Sequence, residues 1–90
     1  MQTEAEWVTI EMPQRRFGKF DVWVYTRNER GHRPHVHVFY AGAEVVILIG
    51  RRAEVRENPG DMKIKDVREA QVIVAEHRDE LLKLWRRYNG

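Results

Sequence analysis

Val45-Val46-Ile47-Leu48-Ile49 is an unbroken apolar run stopped by Gly50. With Glu44 in front it reads as a strand over residues 44–49. Successive strand side chains point to opposite faces, so this strand is apolar on both and has to be covered on both. A chain of 90 residues makes one domain, residues 1–90, near the small end of what folds without a disulfide or a metal. Two covering layers are a heavy demand on so short a chain.

Neighbouring segments supply more strands. Residues 1–6 are polar and expected to fray. Residues 7–12 alternate imperfectly and read as a short edge strand before Pro13, and Gln14-Arg15-Arg16 reads as a basic loop. Over residues 17–25, Phe20, Val22 and Val24 fall on one face, with Asp21, Trp23 and Tyr25 on the other, as a strand requires. Residues 27–31 form a polar turn. A strand follows at 35–40, and Ala41-Gly42 is too short for anything but a hairpin into 44–49. Residues 51–57 can return as a charged edge strand, and Asn58-Pro59-Gly60-Asp61 is the clearest break in the chain.

Beyond that break Val67, Ala70, Val74, His77, Leu81, Leu84 and Tyr88 recur at alternating spacings of three and four. That is one apolar stripe on a helix over about residues 64–88, either continuous or split near His77-Arg78-Asp79. Asn89-Gly90 suits its C-terminus, and Lys83, Arg86 and Arg87 sit where the helix dipole favours cations. The expected fold is α+β: an antiparallel sheet of three or four strands, packed on one face by a long C-terminal helix. One helix covers one face. Trp23, Tyr25 and Phe39 on the second then call for residues 7–12, a second copy of the chain, or a small partner protein. A homodimer or a heteromer is the expectation.

Composition removes several classes. No cysteine is present, which excludes a disulfide framework and a thiolate zinc site and fits the cytoplasm. No run approaches the roughly 20 apolar residues of a membrane span. Net charge is +2, yet 12 of the 16 basic residues are Arg, whose planar fork suits phosphate and carboxylate. Arg15-Arg16, Arg27-Arg30-Arg33 and Arg51-Arg52-Arg56 can form a basic surface. Interleaved Glu29, Glu54 and Glu57 dilute its field, so nucleic-acid binding is permitted without being forced.

Chemistry concentrates in Gly31-His32-Arg33-Pro34-His35-Val36-His37-Val38-Phe39-Tyr40. Alternation places His35 and His37 on one strand face and Val36 and Val38 on the other. Two imidazoles starting roughly 6.6 Å apart can converge on one divalent metal. A third ligand would come from Glu44 across the hairpin or from His32. The same pair can act as general acid and base in metal-independent RNA cleavage, with Arg33 or Arg30 holding the phosphate. Against both stands the plain alternative, in which the histidines are the polar side of an amphipathic strand and no cofactor is bound. His77 lies on the helix stripe and is expected to be buried with one hydrogen bond to a carbonyl or carboxylate. Trp23 and Trp85 are expected as core or interface anchors.

Phe17-Gly18, the strand ending at Tyr25, Pro34-His35-Val36-His37-Val38, Tyr40, Gly42 and Glu44 share an order and spacing with Glu76-His77-Arg78-Asp79-Glu80-Leu81-Leu82 and Trp85. Together they resemble a bacterial family, domain of unknown function 4160, over residues 17–86. The resemblance implies a compact α+β domain of no assigned activity. It also implies a gene neighbour encoding another small protein, as in a toxin–antitoxin-like pair. Residues 50–65 depart from the family pattern, with a longer Arg- and Glu-rich approach to the helix.

Overall fold

Two tight turns build the centre of the sheet. In the computed structural model, which describes residues 14–25 and 33–89, β1 (Gln14–Phe17) turns through Gly18-Lys19 into β2 (Phe20–Trp23). Gly18 has φ +61°, the positive value that a two-residue hairpin needs at its first central position. β3 (His35–Tyr40) turns through Ala41-Gly42 into β4 (Ala43–Leu48), with both turn residues at positive φ. β5 (Val55–Glu57) adds the last edge, with a register irregularity between Val46 and Ile47. The sheet runs β1-β2-β3-β4-β5 in chain order and every pair is antiparallel. That makes five strands where three or four were expected. The extra one is β1: its Gln14–Arg16 had read as a basic loop and Phe17 as the start of one strand over 17–25, which the turn at Gly18-Lys19 divides.

Ala41 carries φ 51°, a left-handed conformation that costs a residue with a Cβ roughly 1–2 kcal/mol. Asn tolerates it and Asn-Gly is the favoured pair for such a turn. Ala41→Asn is therefore expected to add about 1 kcal/mol and raise Tm by roughly 4–8 °C. A thermal melt showing no gain would contradict this account of the turn.

The helical segment breaks in two. α1 spans Ile64–Glu76 and α2 spans Arg78–Asn89, separated by His77 at φ −106°, ψ 23°. Both helices pack on the sheet face that presents Phe20, Val22, Val36, Val38, Val45 and Ile47. They contribute Val67, Ala70, Val74, Leu81, Leu84 and Trp85, all buried. His77 departs from expectation: it is partly exposed, stacked on the Phe17 ring at 3.9 Å. Its Nδ1 lies 3.7 Å from Glu80 Oε1. Lys19, in the first turn, reaches Asp66 at 2.7 Å and Glu69 at 2.9 Å, tying the β1–β2 hairpin to α1. Hydrogen bonds to these two carboxylates hold the Lys19 ammonium well above its ordinary pKa.

At the far end Asn89 is buried and its amide donates to the carbonyls of Tyr25, at 3.0 Å, and Trp85, at 3.3 Å. This pins the end of α2 to the end of β2. The break at 58–61 is held by Asn58, whose Oδ1 accepts from Met62 N–H and whose Nδ2 donates to Met62 O. The edge strand read at residues 7–12, the turn at 27–31, His32 and Gly90 lie outside the described residues.

Candidate functional site: a histidine–glutamate pair on the second sheet face

The site is assembled by register. His37 on β3 stands between Trp23 on β2 and Val46 on β4. The Ala41-Gly42 turn fixes Phe39 opposite Glu44, which leaves Glu44 diagonal to His37 and within reach of its long side chain. The bond forms: His37 Nδ1 donates to Glu44 Oε2 at 2.8 Å. An ionised carboxylate only accepts, so Nδ1 carries the proton and the neutral ring keeps its lone pair on Nε2. That Nε2 is buried and has no hydrogen-bond partner among the described residues. The Tyr25 ring lies flat against the imidazole at 3.8 Å with 6° between planes.

His35, two residues earlier, is 3% exposed. Its Nδ1 lies 2.8 Å from the Arg33 carbonyl, to which it can donate. The His35 ring meets His37 edge-on at 5.2 Å and approaches Trp85 at 6.5 Å. Trp85 Nε1 is likewise buried without a hydrogen-bond partner among the described residues. The same face carries Val46 and Leu48, both buried, and the Trp23 and Phe39 rings, packed edge-to-face at 6.3 Å and partly exposed.

The structure thus brings His35, His37 and Glu44 together. Arg33 contributes its backbone carbonyl while the residue itself is exposed. His77 is elsewhere, against Phe17. Among the described residues no three His, Cys, Asp or Glu side chains are disposed to hold a metal ion. Sequence reasoning put Tyr25 on this face and missed its stacking role. It also missed Gly60, which packs against the backbone of Ala43 and Glu44. Chemically, a carboxylate on Nδ1 fixes the tautomer and orientation of an imidazole, whether the ring then serves as base, ligand or hydrogen-bond acceptor.

A meandering five-stranded sheet backed by two helices, with a histidine–carboxylate pair on its other face, defines a small α+β domain. Residues 20–86 match the family described as Domain of unknown function (DUF4160), and the chain belongs to it. Searches of curated proteins and of solved structures gave no match. Among the described residues no helix is long and apolar enough to cross a membrane.

Proposed function

We propose that this chain is a protein-interaction module, one member of a toxin–antitoxin-like pair, and that it docks its small partner protein on the second sheet face. The observation that carries this reading is the aromatic group on that face. Trp23 and Phe39 form an edge-to-face pair that is left partly exposed, with Tyr25 beside them. Both helices pack against the opposite face, with Trp85 of α2 coming within 6.5 Å of the His35 ring. Large amphipathic rings that bury into a partner are the usual energetic centres of interfaces.

The test is size-exclusion chromatography with light scattering, on the chain alone and co-expressed with the products of its neighbouring genes. A stoichiometric complex is expected, lost in the Trp23→Ala, Phe39→Ala double variant while that variant still melts cooperatively. A chain that stays monomeric alone and with its neighbours overturns the proposal. So does a complex indifferent to the double substitution.

A second reading rests on the Glu44 bond, which gives His37 the tautomer of a general base. In a ribonuclease-like toxin His37 would take the proton from the attacking hydroxyl, with His35 as acid and Arg33 on the phosphate. That chemistry requires Nε2 to be uncovered. It is the weaker reading because Nε2 is buried and His35 Nδ1 is engaged with a carbonyl. Cleavage of RNA that survives chelator and is abolished by His37→Ala would favour it over the first.

A further inference from the structure

We infer that the groove between β1 and the outer side of α2 binds single-stranded RNA. The inference is independent of the docking face described above and uses none of its residues. The groove is open and encloses about 960 Å³. Its two walls are tied together where Arg15 Nε donates to Glu80 Oε2 at 3.2 Å. Lys83, Arg86 and Arg87 line it from α2, at helical positions i, i+3 and i+4, which share one side of a helix.

Charge decides what suits it. Glu80 is matched by Arg15, and Asp79 by Arg78 at 3.4 Å. Lys83, Arg86 and Arg87 are exposed and have no carboxylate partner among the described residues. A helix end with three such cations in a concave setting is matched by a polyanion, and phosphodiesters recruit Arg and Lys with release of counterions. Leu82 adds a partly exposed apolar side chain to the wall, while Leu84 is buried in the core, and apolar surface beside a basic track suits unstacked bases better than a duplex rim. Asp79 stands at the rim with its side chain 91% exposed. A carboxylate repels phosphate but accepts a hydrogen bond from a 2′-hydroxyl, which RNA alone supplies. Those features suit a single strand better than a duplex, and the Asp79 carboxylate is the group that would prefer RNA to DNA.

The experiment is fluorescence anisotropy with a labelled oligouridine of about 12 nucleotides, enough to span one such groove. With Lys83, Arg86 and Arg87 each on a phosphate, raising salt from about 50 to about 200 mM should weaken binding roughly 20-fold. The triple variant Lys83→Gln, Arg86→Gln, Arg87→Gln should bind at least about tenfold more weakly and lose most of that salt effect. All three residues are exposed, so its melting curve should match the parent's. The variant Arg51→Gln, Arg52→Gln, Arg56→Gln removes the same charge away from the groove and should stay within about threefold of the parent. No parent binding below about 1 mM at low salt overturns the inference, and so does equal loss in both triple variants. Equal or tighter binding of oligothymidine overturns the choice of RNA. If the groove variant keeps RNA affinity but loses a co-purifying protein, the groove belongs to a protein partner and the inference fails.

Discussion

Leu81→Ala is expected to remove about 2–5 kcal/mol of stability, the range for deleting a buried leucine side chain. Leu81 is fully buried and sits one turn into α2, where its N–H bonds the His77 carbonyl at 2.9 Å. The side chain therefore lies just past the break between the helices and fills the core cluster from α2 alongside Val67, Ala70 and Val74 of α1. A void there loosens the contact of both helices with the sheet. A small domain has only about 5–15 kcal/mol in total, so Tm should fall by roughly 10–30 °C. Val72→Ala is the control. Val72 is 55% exposed on α1, and its truncation should stay within about 0.5 kcal/mol. Thermal melts of the two variants check the helix face directly. A Leu81→Ala protein melting within a degree or two of the parent would mean the stripe faces elsewhere.

That stripe was legible because spacings of three and four persist along the whole segment: Val67, Ala70, Val74, Leu81 and Leu84 of it are buried, whereas Tyr88 at its end is exposed and Trp85 and Asn89 are buried off it. The break was not decidable from the same pattern. One residue, His77, leaves helical geometry and the helix resumes at Arg78 with its apolar face still toward the sheet. Periodicity is preserved through the break, so it carries no record of it. His77 could then be partly exposed while occupying a stripe position, because the stripe passes Phe17 there and not the sheet centre.

The strands divide in the same way. β3 and β4 were readable because their alternation and their two-residue turn fix faces and register together. β1 was not, because Gln14, Arg15 and Arg16 are exposed and an edge strand with no buried face has no hydrophobic alternation to show. The parity change between Phe17 and Phe20 was the available sign of a turn, since one continuous strand would put them on opposite faces. At the site, the shared face of His35 and His37 and the reach of Glu44 followed from alternation and register. Which histidine is sealed and which ring stacks depend on packing from β2 and α2, which the local pattern does not encode.

The tightest of those unencoded contacts gives the second large effect. Gly60 comes against the β3–β4 hairpin so closely that a Cβ added there would stand 2.7 Å from Glu44 N, 3.0 Å from Ala43 Cα and 3.3 Å from Ala43 C. All three atoms are backbone, so no side-chain rotation relieves the contact. Gly60 N–H also reaches the Glu44 carbonyl at 3.4 Å, and Gly60→Ala forces that pair apart. Overpacking of this kind costs about 1–3 kcal/mol. The displaced backbone is the one that carries the Glu44 carboxylate to His37 Nδ1, so the site should move with the loop. Gly50→Ala supplies the comparison, since a Cβ at Gly50 meets nothing within 4 Å and should change little. The measurement is a pair of melts with imidazole nitrogen spectra of His37 in each protein. Gly60→Ala should melt lower by roughly 5–20 °C and alter the Nδ1 signal of His37, while Gly50→Ala does neither. A Gly60→Ala protein with parental Tm and an unchanged His37 signal would show that the 58–61 loop does not buttress the histidine–glutamate pair.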